Sequence, residues 1–221
     1  MASIQKNTDQ TNQTSKKVLA LFWKQNKIIR DDRLINAFLK VPREIFLREQ
    51  YRDFAYEDTP LPSLRGKTIS QPTTVMIMAQ LLELDKNDEV LEIGAGSGYN
   101  AAIISRIAKK VYTTEIIPEL VIFARENLKN AKIKNVEVLE VDGTRGIEGK
   151  TFDKIILTAA AKEFPPKLLD SLKEEGIIVG PIGNKKEQEM VRGTKEKGKI
   201  AYEFYGQFLF SPLHGAYGFE D

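Results

Sequence analysis

The sequence predicts an α/β fold: a doubly wound, mostly parallel sheet with helices on both faces, Rossmann-like, with a C-terminal antiparallel hairpin and an N-terminal helical layer. Three observations predict it. From residue 89 onward, apolar strand-like runs alternate with helical patterns, which is the signature of a parallel sheet covered on both sides. The first of these runs, residues 89–93, breaks into three glycines, Gly94, Gly96 and Gly98, and resumes as an Ala/Ile helix to about Ala108. Two further runs, 189–193 and 200–210, flank the charged stretch 195–199 and read as a hairpin that closes one sheet edge.

Taken in order, residues 1 to about 14 are polar, rich in Asn, Gln and Thr, and are expected to form a disordered extension. The remainder, 15–221, reads as one domain, with a helical layer and substrate loop over 15–84 and a cofactor-binding core over 85–221. From Ser15, Val18, Leu19, Leu21, Phe22 and Ile28 recur at helical spacing, and Trp23 falls on that apolar face. A second helix starts at Asp31 or Asp32, both suited to N-capping, with Leu34, Ile35, Phe38 and Leu39 on one side. Pro42 ends it or opens a short third helix over 43–47. Residues 51–71 show no periodicity and carry Pro60, Pro62 and Gly66, so they read as a long loop of the functional or disordered kind. After Pro72, Val75, Met76, Ala79, Leu82 and Leu84 mark an amphipathic helix that leads to a turn at 85–88. Strands are then expected near 89–93, 110–115, 136–140, 153–157 and 176–181, with helices near 99–108, 118–130 and 165–173.

Composition narrows the function. A chain of 221 residues can bury one substantial core. Its 33 Lys and Arg are interleaved with 31 Asp and Glu, and the net charge of +2 calls for neither nucleic acid nor membrane as partner. There is no cysteine, which removes disulfides, thiolate catalysis and thiolate metal ligands. The single histidine, His214, argues against a Ser-His-Asp hydrolase or a multi-His centre, and no metal is expected. No apolar run approaches membrane-spanning length, and the first residues lack the apolar core of a signal peptide. A soluble, cytoplasmic monomer is expected.

The glycine segment carries the chemistry. Its spacing is GxGxG, with Tyr99 where a dinucleotide fingerprint has its last glycine. That favours a nucleoside cofactor without a pyrophosphate, S-adenosyl-L-methionine first, over a Gly-rich turn that binds no nucleotide. In open parallel sheets, ligands sit at the carboxyl ends of the strands. There the second core strand ends on Glu115, suited to ribose hydroxyls, and the third on Asp142 and Gly143, suited to an adenine amine with room for the ring. The fourth ends on Thr158 and three alanines, 159–161, which leave space on a pocket floor.

The segments Val41-Pro42-Arg43-Glu44-Ile45-Phe46, Ala55-Tyr56-Glu57-Asp58 with Leu61-Pro62, and Thr68-Ile69-Ser70-Gln71-Pro72 add a second signature. With EIGAGSGY, the TAAA run before Phe164-Pro165-Pro166, and Phe210-Ser211-Pro212-Leu213, the chain resembles the protein-L-isoaspartate O-methyltransferases over about residues 32–215. The resemblance implies methyl transfer from S-adenosyl-L-methionine to the α-carboxyl of L-isoaspartyl residues in damaged proteins and peptides. The ester then closes to a succinimide that reopens partly to aspartate. It further implies Ser70 as the active-site residue, with Thr68 and Ile69 beside the cofactor. Glu92, Gly94 and Gly96 would face the methionine part, Glu115 the ribose, and Asp142 with Gly143 the adenine. The tail through His214 would fold back over the cofactor. Thr73, Thr74 and Val75 stand where some relatives carry histidine, and Ala95 where Thr or Ser is frequent. Three other roles stay open: Ser70 as a helix N-cap, Arg43 in a salt bridge of the N-terminal layer or on a substrate carboxylate, and Tyr99 against the cofactor or as filler. A methyltransferase of RNA or a small molecule and a non-catalytic cofactor-binding scaffold are the alternative functions.

Overall fold

The computed structural model describes residues 2–220, with side chains from residue 11 onward. The chain opens with α1 (Ala2–Gln25) and α2 (Asp32–Lys40), followed by 3-10 turns at Arg43–Phe46 and Glu49–Phe54. Strands β1 (Leu61–Pro62) and β2 (Thr68–Ile69) pair as a small antiparallel ribbon, and α3 (Pro72–Leu81) follows. The core comprises β3 (Glu89–Ile93), α4 (Tyr99–Ile104), β4 (Lys110–Glu115), α5 (Pro118–Asn130), β5 (Val136–Glu140) and β6 (Phe152–Leu157). It closes with α6 (Pro166–Ser171), β7 (Leu172–Gly183), β8 (Gln188–Glu196) and β9 (Lys199–Phe208).

The large sheet runs β5-β4-β3-β6-β7-β8-β9. The first five strands are parallel; β8 and β9 return antiparallel, as the hairpin pattern predicts. Strand order reverses at β3, whose neighbours are β4 and β6, so the crevice for a ligand opens at its carboxyl end. Side chains alternate between the two faces. Val90 and Ile156 join the core packed against the N-terminal helices, whereas Leu91, Ile93, Ile155 and Leu157 pack beneath Leu168 of α6.

Local signals explain most helix starts. Asp31, rather than Asp32, caps α2 by accepting from the Arg33 N–H at 2.8 Å. Helices α3, α5 and α6 each begin on proline, whose missing N–H is one of the unpaired donors of a first turn.

Four expectations are corrected. The helix begins at Ala2, where an extension without structure is predicted, and its docked stripe is Asn12, Lys16, Ala20 and Trp23. The Asn12 amide donates to the Arg52 carbonyl at 3.1 Å and the Lys16 ammonium to that of Val41 at 2.9 Å, so two polar side chains anchor what composition reads as solvated. Val18, Leu21 and Phe22, predicted on the buried face, are 62%, 54% and 49% exposed. Finally, α4 stops at Ile104 and continues only as turns, while β7 starts at Leu172 instead of near 176. A register shift opposite β6 and the positive φ of Glu175 admit the polar run 172–176 into that strand.

Trp23 joins these layers. It is fully buried, donates its indole N–H to Thr73 Oγ1 at 2.7 Å and meets Phe38 edge-on at 4.6 Å. Trp23→Ala is expected to lower stability by about 3–5 kcal/mol, measured by urea unfolding. A loss below about 1 kcal/mol would show that α1 lies outside the cooperative core.

Candidate functional site

A cavity of about 880 Å³ opens at the carboxyl ends of β3, β4 and β6. Its walls are the glycine loop after β3, Glu115, Asp142 and Gly143, the segment from Thr68 to Thr74, and the tail from Ser211 to His214. Thr68, Ile69, Ser70, Gly94, Gly96, Glu115, Asp142, Gly143 and His214 therefore border one space, whereas Glu92, Gly98, Arg43, Ala160 and Ala161 do not line it.

The glycine turn is held tightly. Gly94 has φ +97°, and a Cβ there would stand 2.6 Å from Thr158 Oγ1, the hydroxyl that donates to the Gly94 carbonyl. Gly96 has φ +54°, with open space where a side chain would be. Its N–H donates to Glu115 Oε2 at 3.0 Å, while Oε1 of the same carboxylate accepts from Ile116 and Ile117. Glu115 is buried, so its charge is held by backbone dipoles and it retains acceptor capacity toward the cavity.

Glu92 is the correction. Its side chain is fully buried and lies behind the turn, accepting from the Thr113 hydroxyl and from Asn100 Nδ2 at 2.7 Å. Burial pushes its carboxyl up to about 7; those two hydrogen bonds oppose the rise and the Glu115 charge adds to it. The residue at the cavity wall is Asn100, which sequence reading missed because an Asn in the first turn of an apolar helix carries no motif.

Asp142 and Gly143 border the cavity, but each already serves the protein. Asp142 accepts from the N–H and hydroxyl of Thr144 and from the Ala216 N–H at 2.8 Å, so it caps a 3-10 turn and tethers the tail. Burial alone would raise this carboxyl, but the three bonds and the Arg145 charge hold it below the ordinary value. Gly143 is required by packing, since a Cβ would meet Thr114 Oγ1 at 2.0 Å. The tail lies against the end of β6, with the Leu213 N–H on the Ala160 carbonyl and the Ala160 N–H on that of Ser211. His214 is exposed on the rim, its Nε2 3.2 Å from Lys67 Nζ, so the ribbon and the tail meet across the cavity mouth.

The Ser70 loop is fixed from below. Gln71 occupies the N-cap position of α3, which removes the capping role for Ser70. Asp58 instead supplies the first turn, accepting from the N–H and hydroxyl of Thr73 at 2.9 and 2.6 Å. Arg43 does not form the salt bridge expected within the N-terminal layer. Fully buried, it donates to the carbonyls of Ala55 at 2.6 Å, Ser70 at 3.0 Å and Thr59 at 3.4 Å, with its guanidinium over the Tyr99 ring. Tyr99 is itself buried and packs edge-on against Phe46 beside the cavity.

The chain matches the family model for protein-L-isoaspartate(D-aspartate) O-methyltransferase over residues 13–217. It is 46% identical over 193 residues to the protein-L-isoaspartate O-methyltransferase of Methanococcoides burtonii, covering 86% of this chain and 95% of that one. The enzyme of the same name from Pyrococcus horikoshii is 42% identical over 202 residues, 90% of this chain and 92% of its own. Among solved structures, one from Plasmodium falciparum, described as a protein-L-isoaspartate O-methyltransferase in complex with S-adenosyl-L-homocysteine, superposes with a TM-score of 0.78. Its sequence is 27% identical, covering 90% of this chain and 98% of that one.

Arg43→Lys keeps the charge but not the planar fork that reaches three carbonyls. It is expected to cost about 2 kcal/mol in urea unfolding and to speed amide hydrogen exchange across residues 55–70. Unchanged exchange in that segment would deny Arg43 its role as the clamp.

Proposed function

Because the chain belongs to the protein-L-isoaspartate(D-aspartate) O-methyltransferase family, we propose that Ser70 and the loop around it position the isoaspartyl carboxylate for methylation. The activity is transfer of a methyl group from S-adenosyl-L-methionine to L-isoaspartyl residues in damaged proteins and peptides, a repair function. The observation that carries the residue assignment is the convergence of two loops on one cavity, the glycine turn on one side and the clamped segment 68–71 on the other.

The residues present fit the cofactor. Gly96 leaves a cradle that any Cβ would fill, and the buried Glu115 carboxylate has three backbone donors for about four acceptor positions, which leaves capacity for ribose hydroxyls. The short Thr68–Ile69 strand and the tail through His214 border the same space and suit a cover over a bound nucleoside. Asp142 is reassigned in part: its tail tether fits the adenine end of the cavity, with less acceptor capacity for the ring than an unengaged carboxylate would offer.

When bound, S-adenosyl-L-methionine supplies a methyl group on a sulfonium, an activated leaving group. The carboxylate to be methylated has an ordinary pKa near 4 and is already ionised at neutral pH, so no residue has to remove a proton. A chain with no cysteine and one histidine suits this task. The work left is orientation. The Ser70 hydroxyl and loop N–H groups hold one carboxylate oxygen and leave the other free to attack, and the Arg43 clamp keeps that segment from drifting. Composition and charge support a cytoplasmic monomer as the working form.

Two variants and one substrate pair check this reading. Ser70→Ala is expected to lower turnover tenfold or more while S-adenosylhomocysteine affinity stays within twofold; unchanged turnover removes Ser70 from the mechanism. Glu115→Ala is expected to weaken cofactor binding by about 1–3 kcal/mol in calorimetric titration, because ribose hydroxyls lose their acceptor. An unaltered dissociation constant refutes that placement. Wild-type protein should label an isoaspartyl peptide and spare its aspartyl twin when given methyl-labelled cofactor, and equal labelling of both would sink the substrate assignment.

A further inference from the structure

The large sheet has two edges, and they are built differently. One is β5, five residues long, which carries Glu137 and Glu140 and pairs Glu137 with Lys110 at 2.9 Å. Shortness and charge keep an edge from pairing with another chain. The other is β9, ten residues long and hydrogen-bonded to β8 along one side. Among the described residues no other element makes a main-chain hydrogen bond to it, so alternate residues turn their N–H and C=O groups outward. Its only charges are Lys199 at the start and Glu203, which is paired with Arg192. Tyr202, Phe204 and Tyr205 are exposed instead, Phe204 to 64%. An edge of this length and character is a template for an extended chain.

A bulge leads that edge into the site. Val191 of β8 pairs with Phe204 and Glu189 with Gln207, so β9 has one residue more than β8 over this interval. Gly206 absorbs it with φ +84°. The strand bends there, and residues 207–210 line the cavity, with Leu209 exposed at its mouth. The apolar row on the edge is therefore continuous with the cavity that holds Ser70.

The substrate is a polypeptide of which one carboxylate enters the reaction. The residues on either side of the damage differ from protein to protein, so a docking surface that serves them all has to grip main chain. A free sheet edge does this, since it pairs with backbone groups whatever side chains they carry. The exposed aromatics beside it receive apolar side chains without selecting one.

On the premise that the chain methylates isoaspartyl polypeptides, we propose that main chain flanking the isoaspartyl residue adds to the seven-stranded sheet as an eighth strand, along residues 201–206 of β9. The isoaspartyl carboxylate is then delivered past the bulge toward Ser70.

The test gives the full chain methyl-labelled S-adenosyl-L-methionine and two isoaspartyl peptides, one of about three residues and one with about six residues on each side, enough to form a strand. The long peptide is expected to show a kcat/KM roughly tenfold higher, the gain from one or two net hydrogen bonds with apolar contacts. Single N-methyl groups are then walked along the backbone of each flank. On one flank they are expected to erase the gain at every second residue and spare it between, because a strand pairs through alternate residues. Phe204→Ser, at an exposed position, is expected to reduce the ratio of long to short peptide to about twofold. Equal kcat/KM for the two peptides overturns the proposal, as does N-methylation with no effect or a uniform one, or an unchanged ratio in a folded Phe204→Ser protein. A dimer in sedimentation that Phe204→Ser breaks assigns the edge to a second copy and overturns it too. Absence of label on both peptides removes the substrate reading itself, and the proposal with it.

Discussion

The site depends on one buried cation. Arg43 sits below the segment that ends in Ser70 and gathers carbonyls from Ala55, Thr59 and Ser70, three points on a stretch with almost no regular structure. Burying an isolated guanidinium would cost several kcal/mol. Here the cost is offset by carbonyl dipoles and by the face of Tyr99, and each of those carbonyls would otherwise be an unpaired acceptor below the loop. Loop and cation each reduce the other's penalty, although Arg43 Nε keeps no partner. The reciprocity explains how 16 residues, 55–70, spanning two short strands and a turn, can present a serine at a fixed place without a helix of their own.

A second tie crosses the first. Asp58, from the same loop, caps α3 through Thr73, and the Thr73 hydroxyl also accepts from Trp23 on α1. The N-terminal layer, the loop and the helix after Ser70 therefore share one hydrogen-bond chain. Thr73 is the link between them, held by Asp58 and in turn holding Trp23.

The core was legible because its physics is simple. Strands 89–93, 110–115 and 136–140 and helix 118–130 fall where apolar runs and punctuation put them, since a sheet buried on both faces needs near-continuous apolar sequence. The face of α1 was not legible. Its stripe of Asn12, Lys16, Ala20 and Trp23 is half polar, and apolar periodicity cannot see an amide and an ammonium that are buried because distant carbonyls receive them. The same blindness covers Glu92 and Asp142. Their positions at strand ends were readable, yet what each carboxylate holds was not, because Thr113, Asn100 and Ala216 come from other elements or from far along the chain. Arg43 could be flagged as unusual; only the fold shows that its partners are carbonyls.

The placement of charge follows from the reaction. A carboxylate and a sulfonium enter with opposite charges, and methyl transfer leaves both neutral, so the transition state carries less separated charge than the reactants. Water or fixed charge around the reacting atoms would stabilise the reactants more and slow the step. The cavity avoids this. Ile69, Met78, Ile93, Leu120 and Phe210 supply apolar wall, Glu115 keeps its charge among backbone N–H groups, and the Asp142 charge is committed to the tail. Glu92 stands behind the turn, raised toward neutrality by its own burial, and reaches the cavity only through the neutral amide of Asn100. The two carboxylates that do line the cavity, Glu115 and Asp142, are each neutralised by backbone N–H donors, not left bare toward the reacting atoms.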